Sequence, residues 1–210
     1  VTHLRELLLE TVERQLQSDV PLCAFLSGGL DSSVVTAIAA QRLQERGQRL
    51  ATYSFEFEGN REFFTPSAFQ PGRDQEWALR VSGLLSTDHR TLLCGNQALA
   101  DSLEEAVLAR DLPGMADVDG SLLYFCRQVK QRHTVALCGE CADEIFGGYP
   151  WFHRREMWQG GRFPWSGDMG LRSSLLKPEL AQELDLEGYA ARRLEESLKA
   201  VSYTHLRAHE

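Results

Sequence analysis

An α/β fold, with a parallel sheet covered by helices on both faces, is the class this sequence predicts, and three observations predict it. Short apolar runs alternate with longer segments of helical period from Leu4 to Leu137, the pattern of βαβ units. One of those runs, "LCAFL", passes through "SGGLDSS" straight into another apolar stretch, which is a strand, a tight turn and a helix in succession. The 210 residues are 43% hydrophobic, enough to bury a sizeable core in one or two domains.

The elements follow in order. Residues 1–17 place Leu4, Leu7, Leu8, Val12 and Leu16 at helical spacing among charges, an amphipathic helix without the basic start and apolar centre of a signal peptide. Leu22–Leu26 reads as a buried strand, Ser32–Arg46 as a helix, Leu50–Phe57 as a second strand, Gln75–Leu85 as a helix and Arg90–Leu93 as a short strand. Helices around Leu99–Arg110 and Ser121–Arg132 come next, then a strand at Thr134–Leu137. "NREFFTPSAFQPGR", Asn60 to Arg73, has no period and reads as a long loop, which in a compact domain is more often functional than idle. Gly, Pro and Trp become frequent from Gly160 to Gly170, and a polar helix follows at Glu187–Ala200. The expected organisation is a sheet domain over 1–159 and a partial helical extension over 160–200. There is no internal repeat and no low-complexity tract.

Composition removes several function classes. The net charge of −8, with acidic residues spread along the chain, argues against nucleic acid, because neutralising phosphates needs clustered Lys and Arg. No apolar run approaches the roughly 18 residues of a membrane span. Five cysteines, an odd number without a secretory signal, are read as reduced thiols in a cytoplasmic protein.

In an open α/β sheet, ligands bind at the carboxyl ends of the strands, and two motifs sit there. In "SGGLDSS", Gly28 and Gly29 allow a tight turn with bare N–H groups, Ser27, Ser32 and Ser33 add hydroxyls, and the next helix aims its positive end at the same point. This is an anion cradle, and it lacks the lysine and spacing of the G-x-x-x-x-G-K-[ST] loop. A plain helix cap is the bland reading. Asp31 speaks against it, since a carboxylate inside a phosphate cradle repels its ligand unless a cation such as Mg²⁺ lies between them. After the strand "TVAL", "CGECADEIFGGYPWF" crowds Glu140, Asp143 and Glu144 into five residues, which is costly unless cations balance them. A solvated helix start is the alternative.

"SGGLDSS" after an apolar strand resembles the pyrophosphate loop of the ATP pyrophosphatases, which split ATP between its α and β phosphates to adenylate a substrate. "CGECADEIFGGY" resembles the S-G-E-G-x-D-E-x-F-G-G-Y signature in the synthetase domain of the glutamine-hydrolysing asparagine synthetase family. It matches at Gly139, Glu140, Asp143, Glu144, Phe146, Gly147, Gly148 and Tyr149. "LRELLLETVERQLQSDVPLCAFLSGGLDSS" and "ARDLPGMADVDGS" resemble that family as well, so the likeness runs from about Leu4 to about Arg155. The resemblance implies an adenine nucleotide alpha hydrolase-like fold, ATP and Mg²⁺ as cofactors, and asparagine formation through an acyl-adenylate of aspartate that ammonia attacks. It further implies that Asp31 and Asp143 hold Mg²⁺ on the pyrophosphate and that Glu140 assists the adenylation. Leu26, Phe55, Cys138 and Gly139 would line the nucleotide pocket beside the loop residues Ser27, Gly28, Gly29, Ser32 and Ser33.

The chain departs from the family at three places. Cys138 and Cys141 stand at Ser and Gly positions and create a C-x-x-C, read as small-residue substitution or as a working dithiol. A structural zinc site wants four ligands, and no second pair is present. Glu56 stands where Gly is common and would bring an extra charge near the pocket, while "DLPGMADVDGS" leaves open a carboxylate acceptor other than aspartate, as in β-lactam synthesis. A nucleotide sensor that does not turn ATP over is the third possibility. His89 beside Asp88 reads as a surface or strand-entry residue, Trp151, Phe152 and His153 as packing more than a substrate floor, and His133 carries no argued role. Glutamine-hydrolysing members carry an N-terminal glutaminase domain with a cysteine nucleophile, and this chain starts at Val1, barely one helix before the loop. It is therefore expected to be a piece of a longer protein, inactive alone or dependent on ammonia. The closing "VSYTHLRAHE" at 201–210 resembles translated adapter sequence and is set aside as a non-native tail. Nothing in the sequence speaks to oligomeric state.

Overall fold

A computed structural model describes residues 1–66, 72–158 and 162–200. The middle of the expected loop at 67–71, the start of the glycine-rich stretch at 160–161 and the tail at 201–210 lie outside the described residues. Two compact units divide the chain, Val1–Ala142 and Asp143–Glu210. The composition shift near Gly160 falls inside the second.

The first unit holds helix α1 (Thr2–Gln15), strand β1 (Leu22–Phe25), α2 (Leu30–Glu45), β2 (Ala51–Phe57), a single turn α3 (Asn60–Phe63), α4 (Asp74–Leu85), β3 (Asp88–Cys94), α5 (Asn96–Arg110), α6 (Ala116–Lys130) and β4 (Val135–Leu137). The elements expected from periodicity are present with ends moved by a few residues. The exception is α3, inside the expected loop: four residues cannot show a helical period, and the turn starts from Gly59 in the left-handed region (φ +79°).

All four strands are parallel, in the order β3-β2-β1-β4. Cys23 lies beside Ala51 on one neighbour and Ala136 on the other. Side chains alternate between the faces, which builds two cores. Ala24 and Leu137 pack with Val12 and Leu16 of the first helical segment and with Ala39 and Ala40 of α2. Cys23 and Tyr53 pack with Val129 of α6, with Phe25, Phe55 and Leu92 at the margin. Parallel strands buried on both sides need this two-sided cover. The sheet runs outward from β1 through β2 to β3, then the chain crosses back to lay β4 on the other side of β1. The carboxyl ends of β1 and β4 therefore flank the point where the strand order reverses.

The second unit starts at Asp143, one residue into α7 (Ala142–Phe146), and continues through one-turn 3-10 segments to α8 (Met169–Ser174), α9 (Pro178–Leu184) and α10 (Leu186–Ala200). Met169 and Ala190 are buried in it. The aromatic residues after the glycine pair pack on one another: Tyr149 stacks on Trp151 at 4.3 Å, and Phe163 on Trp165 at 4.5 Å. Trp158 Nε1 donates to the Trp151 carbonyl at 2.6 Å. No described helix is long and apolar enough to cross a membrane.

Candidate functional site

The two sequence motifs of the first unit meet at the reversal point. The loop from Ser27 to Gly29 leaves β1 and enters α2, whose cap is Gly29 and whose first turn carries Asp31. The N–H groups of that first turn have no carbonyl one turn earlier in the helix, so the helix start is a donor-rich, partially positive end. From β4, Cys138 and Gly139 run directly against it. A Cβ on Gly139 would lie 2.6 Å from the Ser32 amide nitrogen and 2.9 Å from the Asp31 carbonyl carbon. Only glycine lets the β4 loop come this close. Gly28 serves a different neighbour. Its φ is +91°, and a Cβ there would meet the Ala78 nitrogen at 2.5 Å and the Asp74 oxygen at 2.8 Å, so the turn is pressed against α4.

Within the loop the serines are tied to one another. Ser27 Oγ and Ser32 Oγ are 2.9 Å apart, the Gly29 amide donates to Ser27 Oγ, and Ser32 Oγ donates to the Gly29 carbonyl. These bonds fix the shape of the loop. Ser33 Oγ is buried without a hydrogen-bond partner.

A cleft of about 840 Å³ opens over the carboxyl ends of the strands. Of the sequence-predicted residues of this unit, it is lined by Leu26, Ser27, Gly29, Asp31, Ser32, Phe55, Cys138, Gly139 and Glu140. Gly28 and Ser33 do not line it. Asp143 begins the acidic first turn of α7 and belongs to the second unit, where Tyr149 Oη donates to the neighbouring Glu144 at 2.8 Å.

One wall of the cleft is aromatic. Phe55 stacks face to face on Phe125 of α6 at 4.3 Å, Phe25 meets Phe55 edge-on at 5.0 Å, and Phe57 meets Phe125 edge-on at 5.7 Å. Of these four rings, the sequence points only to Phe55. Its partners Phe25 and Phe57 carry a period-two signal on adjacent strands, whereas Phe125 carries none, because only the tertiary fold brings α6 over β2. Gln75 of α4 and Ser121 of α6 also line the cleft, and neither carries a local sequence signal.

Asp31 and Glu140 line the same cleft as the aromatic residues. Among the described residues no Lys or Arg comes within ion-pair distance of Asp31. Glu140 lies close enough to α6 that its charge, after burial, holds the Cys126 thiol above its usual range. Glu56 does not charge the cleft: it lies on the α4 side of β2, and its Oε2 pairs with Arg73 at 3.2 Å, the two side chains only 14% and 20% exposed. The five cysteines are free, with Cys138 and Cys141 exposed, and Cys141 adopts φ +68°. No group of three or more His, Cys, Asp or Glu side chains that could hold a metal ion is gathered among the described residues.

A family model described as asparagine synthase matches residues 3–210. The chain belongs to the asparagine synthase family. It is 49% identical over 199 residues to asparagine synthetase [glutamine-hydrolyzing] 3 of Bacillus subtilis, covering 94% of this chain and 32% of that protein. It is also 32% identical to the glutamine-hydrolysing asparagine synthetase of Zea mays, covering 72% of this chain and 25% of that protein. A third relative, amidase chyE of Penicillium rubens, is 33% identical and covers 72% of this chain and 23% of its own length. The chain thus spans a third or less of the length of the relatives it matches.

Proposed function

We propose that the first unit is the nucleotide-binding core of an ATP-dependent amide ligase that adenylates a carboxylate, the side chain of aspartate, for attack by ammonia to form asparagine. One observation carries this reading: the "SGGLDSS" loop and the Cys138–Glu140 loop meet across Gly139 at the reversal point of a parallel sheet, where such sheets bind ligands. The cleft offers what an adenine nucleotide requires. Its aromatic wall, with Leu26 and Phe55, suits a flat base, and the bare amides entering α2 suit the phosphates.

The chemistry balances in two steps. A carboxylate oxygen attacks the α phosphorus of ATP, the bond from that phosphorus to the bridging oxygen breaks, and pyrophosphate leaves. Ammonia then attacks the acyl carbon, AMP departs with the bonding pair, and the nitrogen loses a proton. Ser27, Gly28, Gly29, Ser32 and Ser33 form and support the pyrophosphate cradle, Cys138 and Gly139 close one side, and Glu140 orients the reacting groups. Mg²⁺ is commonly held by one or two carboxylates together with substrate phosphates, and Asp31, exposed to the cleft without a basic partner, fits one such ligand. The bound ion would neutralise charge on the leaving pyrophosphate.

In the longer protein, a glutaminase domain would supply the ammonia, and the cytoplasm is the expected compartment. An acceptor carboxylate other than aspartate is the second reading, favoured by the unusual "DLPGMADVDGS". The test is exchange of labelled pyrophosphate into ATP by the full-length protein. Aspartate-dependent exchange, lost in Glu140→Gln with ATP affinity retained, supports the first reading. Exchange with another carboxylate supports the second. ATP binding without any exchange would leave a non-catalytic nucleotide module and overturn both.

A further inference from the structure

A chain of hydrogen bonds crosses the α4 face of the sheet and ends in the cleft wall. Thr87 and Thr52 hydroxyls lie 2.9 Å apart, Thr52 Oγ1 lies 2.9 Å from His89 Nδ1, and His89 Nε2 lies 3.0 Å from Ser54 Oγ. Ser54 Oγ donates to Gln75 Oε1 at 2.9 Å, and Gln75 Nε2 donates to Thr91 Oγ1 at 2.5 Å. Thr52, Ser54 and Thr87 are buried.

The direction of one bond sets the others. With the Gln75 carboxamide turned so that Oε1 faces Ser54 and Nε2 faces Thr91, Ser54 gives its only proton to Gln75 and toward His89 can only accept. Nε2 must then carry the hydrogen, and Nδ1 of the neutral ring accepts from Thr52, which in turn accepts from Thr87. His89 is thus a strand-entry residue, second in β3, half-buried and not on the open surface. It is the central link of a polar network whose far end is a side chain facing the nucleotide cleft.

Gln75 stands in the first turn of α4, the helix against which Gly28 of the cradle is pressed. A free glutamine side chain carries substantial rotamer entropy, and the network holds its carboxamide in one orientation with both ends engaged.

We propose that Gln75 is a ligand-positioning residue of the nucleotide cleft and that His89, acting through Ser54, is the positioning residue that fixes its carboxamide. This rests on the nucleotide-binding reading above. The group Gln75 offers is its second Nε2 hydrogen, a donor suited to an acceptor on the ribose or base of an adenine nucleotide.

Two measurements test it on the 210-residue chain. Histidine ¹⁵N NMR without ligand should show His89 Nε2 protonated and Nδ1 as the bare acceptor. The opposite tautomer would reverse the whole chain of donors and overturn the inference. Calorimetric titration with Mg²⁺ and ATP should then follow a double-mutant cycle. Gln75→Met and His89→Leu should each weaken binding by about two- to ten-fold, the worth of one net hydrogen bond. The double variant should be no weaker than either single one, and His89→Gln, which can accept and donate along the same line, should recover most of the loss. Additive losses, or His89→Leu at wild-type affinity, would overturn it. Should His89→Leu fail to fold, Gln75→Met and His89→Gln still decide: unchanged affinity in Gln75→Met removes the role of Gln75, and ten-fold loss in His89→Gln removes the network's. A wild-type chain that does not bind ATP would overturn the nucleotide reading itself and take this role with it, an outcome distinct from the others.

Discussion

Replacing Gly139 with alanine would insert one methyl group between the two loops that form the cleft. The new carbon would start 2.6 Å from the Ser32 nitrogen and 2.9 Å from the Asp31 carbonyl carbon, both backbone atoms at the start of α2. Ordinary contact begins near 3.4 Å, so the loops must part by about 0.8 Å. No flexible side chain can absorb this by turning away. Overpacking of this kind costs about 1–3 kcal/mol, or a melting temperature lower by roughly 2–12 °C in a chain of this size. Displacement on that scale would also carry the amides of the first turn out of the 2.7–3.2 Å range of a good hydrogen bond to phosphate, with an expected loss of about ten-fold or more in ATP affinity. Differential scanning calorimetry and isothermal titration would read the two effects. Gly83→Ala is the control: nothing lies within 4 Å of a Cβ there, and in the interior of α4 alanine should stabilise by about 0.5–1 kcal/mol. A Gly139→Ala protein with wild-type melting and wild-type ATP affinity would refute the reasoning, since the loops could not then be in contact.

Three further outcomes are expected. Nucleotide affinity should fall when Mg²⁺ is withdrawn and in Asp31→Asn, and equal affinity in all conditions by calorimetry would leave Asp31 as part of the helix start only. Cys138→Ser with Cys141→Gly should leave ATP binding intact, because both thiols are exposed and unpaired; binding that wild type loses on oxidation and the double variant keeps would mark a working dithiol. Burial lowers the proton affinity of His89 and of His133, the latter aided by Arg90 and Arg132. The unfolded chain then binds protons first as pH drops below the ordinary histidine value of 6.5, so stability present above that value is lost on acidification. Melting temperature should fall between pH 7.5 and 5.5 by less in His89→Gln, and an identical pH slope would show that His89 titrates normally.

Local chemistry made much of this protein legible from its sequence. The alternation of apolar runs named the α/β class, because strands buried on both sides and helices of period 3.6 leave different marks. "SGGLDSS" and "CGECADE" marked two strand-end loops, because glycine, serine and carboxylate are common where a chain turns from a strand into a helix. What the tertiary structure alone decided is how distant segments meet. No local pattern says that β4 lies beside β1 and not beyond β3, yet that order is what brings Gly139 against the start of α2. Glu56 looked like a charge loose near the pocket until Arg73, 17 positions on, proved to face it. His89 is the strand-entry residue its sequence suggests, second in β3, but its bonds to Thr52 and Ser54, and through Ser54 to Gln75, depend on which strand lies beside it. Phe125 joined the aromatic wall only when α6 crossed the sheet. Sequence records what each residue can do, whereas pairing across the sheet is set by the summed burial of whole elements, which no short stretch contains.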